Sequence, residues 1–566
     1  MPAKTKENFS WLKNYPTGLP FLIGSYPEIS LYSFLENSVK KYPKNTAVVF
    51  FNRKISYEKL ESLINAFAYS LRKLGVVKQD RIAIALPNCP QFIIAYYAAI
   101  KIGATPTPLN PLFSSEELNY CFDDSGAKVI IALDVLTPRI EHIKNKIIAD
   151  KIIFTNISDF FPTPLKILYR LKTIKEFFIN KAGKKNTIKF LKLLKKRLPI
   201  EIEKINPKKD FACLMYTSGT TGKPKGVPLT HYNLTSNIFQ ISKYIGNALI
   251  EAQEIQIGAL PFFHIYGLTF VLNLSIFKPF SLILLPKFNT KPFCKIIQKY
   301  KVTLAAGIPA IYAAVIKVFQ KNPKKFDLSS VRFWGSGAAS CPAFLIENIK
   351  EISKGVFIEA YGLTETSPIT HMNPPQGRQK IKSIGLPLPD TLCKIVDLNT
   401  QKELGPNKDG ELLIKGPQIF NGYWNKPAST KQAIDSNGWF HTKDIASMDD
   451  DGYFYIKGRA DDMINVRGEK VWPQEIEDIL SKHPAIKEAA VVGTHNDYYG
   501  QMPKAFIVLK ENLQDEAQMQ FQKEKILNFC KEYLTGYKIP KEIEFVLEIP
   551  KSALGKTLHY KFRKKV

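Results

Sequence analysis

Ten consecutive residues, Thr217-Ser218-Gly219-Thr220-Thr221-Gly222-Lys223-Pro224-Lys225-Gly226, bring together four hydroxyls, three glycines and two lysines. Glycines let a backbone wrap closely round a ligand, and successive N–H groups in such a loop form an anion-binding nest. Hydroxyls and ammonium groups add donors for phosphate oxygens. An apolar run, 212–215, leads into the loop. The stretch reads as a polyphosphate clamp. It is not a Walker A loop, which needs Gly-Lys-Ser/Thr, because Gly222-Lys223 is followed here by Pro224.

Five further clusters could carry chemistry. Pro261-Phe262-Phe263-His264-Ile265-Tyr266-Gly267 sets one histidine among aromatics; alone, such a histidine reads as a core residue. An apolar run at 331–334 leads into Gly335-Ser336-Gly337-Ala338-Ala339, and Glu359 follows near the spacing of a ribose-binding acid. The dinucleotide fingerprint fails, however, because Ser340 stands for its third glycine and Pro342 interrupts the helix start, which argues against a nicotinamide oxidoreductase. Tyr361-Gly362-Leu363-Thr364-Glu365-Thr366 groups an aromatic ring, hydroxyls and a carboxylate. Gly438-Trp439-Phe440-His441-Thr442-Lys443-Asp444 ends on an acid. Pro550-Lys551-Ser552-Ala553-Leu554-Gly555-Lys556 ends on a lysine that, by itself, reads as solvated surface.

The elements that must position these clusters alternate strand and helix. Strands are predicted at 46–51, 81–86 and 128–133, and a buried helix at 91–102. Ser56 caps a helix whose apolar residues Leu60, Leu63, Ile64, Phe67, Leu71 and Leu74 recur at helical spacing before Gly75. The rhythm resumes with helices at 234–244, 269–276 and 292–300 and strands at 255–260 and 281–285. This predicts an α/β protein with a large N-terminal domain of two βαβ-layered subdomains. Short strands with Gly/Pro/Asp turns from about 383 to 420 suggest a small β-barrel or sandwich. Composition changes at 458–462, so the expected division is 1–457, a hinge at 458–462, and a small α+β domain at 463–566. That last domain is predicted to hold helices at 473–481 and 516–533 and strands at 487–492, 505–509 and 544–547.

Composition narrows the class. The chain has 566 residues, 45% of them hydrophobic, which predicts several domains with a large core. Seven cysteines without a CxxC pair suit reduced thiols in the cytoplasm rather than zinc or disulfides. A polar stretch at 1–11 predicts no secretory leader, and the most apolar stretch, 268–285, is broken by Lys278 and Pro279. The net charge of +28 favours anionic partners, although frequent lysine, isoleucine and asparagine fit a genomic base bias equally well. Between Lys166 and Arg197 there are twelve basic residues and one acid, Glu176. Leu168, Leu171, Ile174, Phe177 and Phe178, then Phe190, Leu191 and Leu194, are threaded through them around Ala182-Gly183. Two basic amphipathic segments are expected within an insert at about 155–200. They could lie on the anionic inner face of a membrane, or be solvated helices with an ordinary core stripe.

Taken together and in order, the six clusters resemble the acyl-adenylate-forming family that includes acyl-CoA synthetases, 4-coumarate–CoA ligases and firefly luciferase. The resemblance spans residues 20–563. It is greatest to bacterial long-chain fatty acid–CoA ligases, on the segments 88–91, Asn110-Pro111-Leu112 and Glu116-Glu117-Leu118 and on the insert. It implies a two-step reaction: a fatty carboxylate attacks the α-phosphate of Mg·ATP, and a thiol, usually that of coenzyme A, then displaces AMP. It assigns the β- and γ-phosphates to Thr217, Ser218, Gly219, Thr220, Thr221, Gly222 and Lys225, and the α-phosphate to Thr364 and Lys556. Glu365 would hold Mg²⁺. Tyr361 would stack on adenine, in a pocket lined by Gly337, Ala338, Glu359 and Ala360. Asp444 would take the ribose hydroxyls with help from Arg459, and His264 would lie beside the carboxylate and the thiol path. The C-terminal domain resembles a mobile lid hinged at Asp461, whose Gly468 leaves room for pantetheine.

Two departures stand out. Lys443 occupies the family's Thr-Gly-Asp glycine position, where its side chain either crowds the ribose site or points outward, and Leu554 replaces a small polar residue. Acyl carrier protein is an alternative acceptor, its acidic surface suiting the positive charge, and medium-chain or aromatic carboxylates are alternative substrates. A basic nucleic-acid-binding or membrane scaffold is the non-catalytic alternative; the intact phosphate loop, Glu365 and Lys556 argue against it, and no nucleic-acid partner is expected.

Overall fold

A computed structural model describes residues 9–143, 146–172, 187–195, 200–217, 224–323, 325–467, 469–496, 500–511, 513–552 and 555–563. Its principal sheet has nine strands, in the order Leu386–Pro387, Ile369–Met372, Val356–Gly362, Phe333–Ser336, Leu304–Gly307, Ile255–Gly258, Ser281–Leu284, Thr46–Phe50 and Arg53–Ser56. The six central strands are parallel, with antiparallel strands at both edges. A second sheet is parallel throughout, in the order Thr105–Pro108, Arg81–Ala85, Ala127–Leu133, Lys151–Thr155 and Thr187–Lys189. The two layered βαβ units are therefore present, but the first does not follow the chain. Strand Thr46–Phe50 pairs with Ser281–Leu284 in the principal sheet, whereas Arg81–Ala85 belongs to the second. An unbroken strand–helix rhythm does not reveal such an exchange.

Local chemistry explains the helices. The Ser56 hydroxyl accepts the Lys59 N–H and opens Tyr57–Lys73, whose Leu60, Ile64, Phe67 and Leu71 are fully buried. Pro90–Lys101 is buried along its whole length, and its Tyr97 hydroxyl reaches Asn273 Oδ1 at 2.9 Å. His231–Ile245 is also largely buried, Lys243 alone being exposed, yet rich in polar residues, and these bind other elements. Asn233 donates to the carbonyls of Pro417 and Ile419, both at 2.9 Å, and Asn237 exchanges two hydrogen bonds with the Ile369 backbone.

The region from 383 onward is not a barrel or sandwich. Leu392–Val396, Gly410–Lys415, Phe440–Met448 and Phe454–Arg459 form an open antiparallel sheet in that linear order. Its last edge is covered rather than closed: Gly385 bridges Phe454, and the Ile384 N–H donates to the Phe454 carbonyl at 2.8 Å. The basic insert also differs from two amphipathic helices. Its centre, 173–186, lies outside the described residues. Thr163–Lys172 is helical, with Ile167, Leu168 and Leu171 exposed, but Thr187–Lys189 is a strand and Phe190–Leu193 only one turn. Phe190 is fully buried and stacks on Phe67 at 4.4 Å between ring centres, and Leu194 is buried too, so these two residues of the second stripe serve the core while Leu191 stays exposed.

The main apolar core runs from Trp11 to Phe454, a second cluster between Ala83 and Tyr216 lies within the same body, and the clusters that begin at Ile464 are separate from both. Beyond 463, Glu469–Val471, Ile464–Val466, Gly500–Leu509 and Ile486–Asn496 are antiparallel neighbours, and Glu542–Phe545 adds a parallel strand to Gly500–Leu509. Helices Pro473–Leu480 and Glu516–Tyr533 cover this sheet. All seven cysteines are buried and unpaired.

Candidate active site

The two described ends of the phosphate-loop motif belong to paired strands. Phe211–Thr217 and Lys225–Thr230 pair antiparallel, with Thr217 opposite Lys225. Ser218, Gly219, Thr220, Thr221 and Gly222 lie outside the described residues. The strand pair is tied down on two sides. The Tyr216 hydroxyl donates to Asp124 at 2.8 Å and that of Tyr120 to the Pro224 carbonyl at 3.0 Å. The Trp424 N–H donates to the Gly226 carbonyl at 2.9 Å, and a Cβ at Gly226 would lie 2.9 Å from the Trp424 Cβ. Only glycine lets the two segments approach so closely.

The nucleoside-pocket residues gather at the carboxyl ends of Phe333–Ser336 and Val356–Gly362, where ligands of parallel α/β sheets bind. The strands pair with Gly335 beside Ile358 and Ser336 beside Glu359. A Cβ at Gly337 would stand 3.2 Å from Tyr266 Cε1 and 3.3 Å from the Ala360 carbonyl, while Ala338 takes a left-handed φ of 68°. Glu359 is largely buried, and burial pushes its carboxyl up to about 7 despite a backbone hydrogen bond from Cys341. The Tyr361 hydroxyl donates to Asp444 Oδ2 at 2.5 Å, and Arg459 pairs with Asp444 Oδ1 at 3.0 Å. Tyr361 and Arg459, 98 positions apart in the chain, thus converge on one buried carboxylate. Among the described residues Arg459 Nε is buried without a partner, a donor left for a ligand.

Asp444 is itself held by the bend that carries Lys443. The Thr442 hydroxyl accepts the Asp444 N–H at 3.0 Å and donates to the Leu412 carbonyl at 2.7 Å. Glu411 accepts the Lys443 N–H at 3.0 Å through one oxygen and faces His441 Nδ1 at 3.1 Å with the other. Lys443 has a φ of 58° and sends its ammonium away from Asp444, to 3.7 Å from Asp461.

Glu365 lies in the turn Thr364–Thr366 that follows Val356–Gly362. Gly362 is required there, because a Cβ would sit 1.8 Å from the Pro368 carbonyl oxygen. Burial pushes the Glu365 carboxyl up, partly offset by hydrogen bonds from the backbone and from Tyr423, whose hydroxyl donates to Oε1 at 2.9 Å. The ring of Tyr423 carries Lys225 Nζ 5.0 Å from its centre. Phosphate lysine and carboxylate therefore share one neighbour. Among the described residues no three His, Cys, Asp or Glu side chains stand close enough to hold a metal by themselves. A lone carboxylate beside a phosphate site suits Mg²⁺, which keeps much of its shell for water and substrate phosphates.

His264 lies just before the π-helical turn Gly267–Asn273, where the sequence had suggested an ordinary helix at 269–276. The loop folds tightly back: a Cβ at Gly267 would lie 2.2 Å from the Pro261 carbonyl oxygen. Asn88 pins it, donating to the carbonyls of Gly258 (2.9 Å) and Leu260 (2.8 Å) and accepting the Phe262 N–H (2.9 Å). Burial pushes the His264 imidazole down to about 4, so it is neutral at pH 7, and Nε2 has no partner among the described residues. Behind Gly335 and Ala360 lies a narrow apolar cavity of about 30 Å³, walled by Tyr266, Phe270, Leu304, Ile358 and Met372 among others.

The C-terminal unit reaches the same face. A Cβ at Gly555 would lie 3.5 Å from Ile308 Cδ1, next to Gly307, the strand partner of Ser336. Lys556 is exposed there, its N–H bonded to the Ser552 hydroxyl at 3.1 Å. The segment 459–462 is gripped from both sides: by Asp444 and Lys443 of the larger body, and by Arg563, which pairs with Asp462 at 2.9 Å and donates to the Asp461 carbonyl. Gly468 lies outside the described residues. Sequence reasoning missed Tyr423, Glu411 and the binding role of Asn88. The segment Gly422-Tyr423-Trp424 was the available signal for the first; the other two are pairings that no local pattern announces.

Tyr361, Asp444, Arg459, Glu365 and Lys225 thus lie on linked segments of the α/β body, and the C-terminal unit approaches that body at Ile308. The AMP-binding enzyme family matches residues 35–424, and the AMP-binding enzyme C-terminal domain matches 475–556. The chain belongs to the AMP-binding enzyme family. It is 38% identical over 550 residues to a long-chain-fatty-acid–CoA ligase of Bacillus subtilis (strain 168), covering 97% of this chain and 96% of that protein. The structure of ATP-bound MatB from Rhodopseudomonas palustris superposes with a TM-score of 0.81 at 26% identity, over 95% of this chain and 99% of that one. The o-succinylbenzoate coenzyme A synthetase of Bacillus subtilis, in complex with ATP and magnesium ion, gives 0.75 at 26%, over 94% and 99%.

Proposed function

We propose that the protein activates a long-chain fatty acid with ATP as an acyl-adenylate and transfers the acyl group to coenzyme A, releasing pyrophosphate and AMP. The observation that carries this reading is the convergence of Tyr361, Asp444 and Arg459 with Glu365 and Lys225 on linked segments of the α/β body. Asp444, with Arg459 beside it, accepts ribose hydroxyls, and Tyr361 with Gly337, Ala338, Glu359 and Ala360 forms the adenine wall. Lys225 and residues 217–222 hold the β- and γ-phosphates. Mg²⁺ held at Glu365 would neutralise phosphate charge. Thr364 and Lys556 supply donors where charge builds on the α-phosphate, which lowers the barrier. Neutral His264 borders the path of carboxylate and thiol and can accept a hydrogen bond at Nε2.

The apolar cavity behind Ala360 is the acyl site in this reading. Its volume admits about one water, so an acyl chain enters by displacing its walls, among which Met372 is adaptable. The core break between Phe454 and Ile464 supports a body at 1–457, a hinge at 458–462 around Asp461, and a lid at 463–566. The approach of Gly555 to Ile308 suits the adenylating orientation, and the thiol step uses another face of the lid, with Gly468 beside pantetheine.

Two finer points rest on particular observations. The exposed Ile167, Leu168 and Leu171 on helix Thr163–Lys172, flanked by Lys166 and Arg170, support transient contact with an anionic membrane. No described helix is long and apolar enough to cross one. The charge of +28 favours acyl carrier protein as a second acceptor. The deciding experiment measures pyrophosphate release across carboxylic acids of graded length, with coenzyme A, with holo-carrier protein and with neither. Release that is absent for every fatty acid overturns the proposal. Preference for an aromatic or medium-chain acid overturns its substrate.

A further inference from the structure

We infer that Tyr423 is a positioning residue that couples the phosphate clamp to the metal-binding carboxylate. The inference rests on the adenylating reading above. Tyr423 belongs to the short connection between Gly410–Lys415 and the helix Pro427–Ala433, far in sequence from both groups it touches. Its hydroxyl donates to Glu365 Oε1 at 2.9 Å, and its ring faces Lys225 Nζ at 5.0 Å. One oxygen of Glu365 is thereby fixed, leaving Oε2 for a cation, while the ring restricts where the flexible lysine places its charge.

The tyrosine is itself held firmly. Its N–H donates to Thr430 Oγ1 at 2.9 Å. Gly422 before it has a φ of 137°, and a Cβ there would lie 2.4 Å from Thr430 Cγ2. Phe420 packs 4.9 Å from its ring and donates its N–H to the Glu365 carbonyl at 2.9 Å. Trp424 after it binds Gly226 at the clamp's base. Residues 420–424 thus touch both halves of the site, and Tyr423 is where side chain meets side chain. Lys225 and Glu365 are thereby held in a fixed relation through this one ring, so the cation's carboxylate and the lysine charge are placed together.

The test uses the full-length protein with no carboxylic acid present, so that no turnover occurs. Mn²⁺ replaces Mg²⁺ as a paramagnetic probe, and its affinity for the ATP-loaded protein is read by electron paramagnetic resonance. ATP binding in EDTA is read separately by calorimetry. A hydrogen bond to a charged group is worth about tenfold in affinity. Tyr423→Phe is therefore expected to weaken Mn²⁺ about tenfold, with metal-free ATP binding unchanged. Tyr423→Leu, which also removes the ring, is expected to weaken both. In Glu365→Gln, which no longer offers the cation a carboxylate, the further change Tyr423→Phe is expected to cost nothing more in Mn²⁺ affinity. Wild-type Mn²⁺ affinity in Tyr423→Phe overturns the inference. So does an equal loss of metal-free ATP binding, which would mean a loosened cleft. A wild-type protein that binds no ATP overturns the adenylating reading itself, and the inference with it.

Discussion

Replacing Lys443 with glycine tests whether this lysine burdens the ribose site. Its φ of 58° is a conformation that an L-residue adopts at a cost of about 1 kcal/mol and glycine adopts freely. Its ammonium stands 3.7 Å from Asp461, with side chains 52% and 36% exposed. At that distance two charges attract by about 1 kcal/mol in water. Screening and the entropy of holding a long side chain reduce an exposed pair to about 0.5 kcal/mol. The backbone relief exceeds the lost ion pair, so Lys443→Gly is expected to be neutral to slightly stabilising, by about 0.5 kcal/mol. Because the side chain pairs with Asp461 and not with Asp444, the KM for ATP should change by less than about twofold, or about 0.4 kcal/mol. The assays are pyrophosphate release against ATP concentration and thermal unfolding. Lys443→Asn, which tolerates the same backbone but lacks the charge, isolates the ion pair. A tenfold fall in KM for ATP in the glycine variant would refute the reasoning, because it would show that the lysine does crowd the nucleotide.

Three other outcomes follow from the site. Lys556→Ala should lower acyl-adenylate formation by about a hundredfold or more while thioester formation from supplied acyl-adenylate survives; equal loss of both contradicts a lid with two working faces. Asn88→Ala removes three buried hydrogen bonds from the loop that carries His264. It should destabilise the protein by about 2–3 kcal/mol, measured by urea denaturation, with a larger loss in turnover than in ATP affinity. His559 gives a pH signature. Burial pulls its imidazole down, but the hydrogen bond and charge of Glu477 at 2.7 Å, with Asp462, raise it overall. A raised folded-state pKa means that its contribution is complete below about 6.5 and fades as pH climbs through the folded value. Thermal unfolding of the C-terminal unit should therefore come earlier as pH rises above 7, and His559→Gln should flatten that slope.

What could be read from the sequence was what lies within a few residues of itself. The clamp, the aromatic–carboxylate turn 361–366 and the segments ending at Asp444 and Lys556 announce donors and acceptors in contiguous runs, and backbone continuity places those groups together. Helices with a cap and an apolar face were legible for the same reason: Tyr57–Lys73 begins at Ser56, and Glu516–Tyr533 has the bounds its pattern predicts. Pairing across long stretches was not legible. Strand Thr46–Phe50 has the same composition whether it joins the sheet of its neighbours or that of Ser281–Leu284. Thr187–Lys189 and Phe190 have a periodicity that suits a basic helix as well as an edge strand followed by a core aromatic, and only Phe67 across the fold decides between them.

The same limit explains why the candidate nucleotide-binding groups stand out in the sequence and the residues that hold them do not. A group that meets a ligand must be accessible and polar, often beside a glycine, and those types are conspicuous in a local motif. A group that holds another side chain needs only one suitable atom at the right place, and any part of the chain can deliver it. Tyr423 reaches Glu365 across 58 positions, and Asn88 reaches Leu260 across 172. Neither residue type is unusual where it stands. The precision of such a site therefore resides in contacts that composition and spacing do not encode, and substitutions at those contacts are where activity and motif should part company.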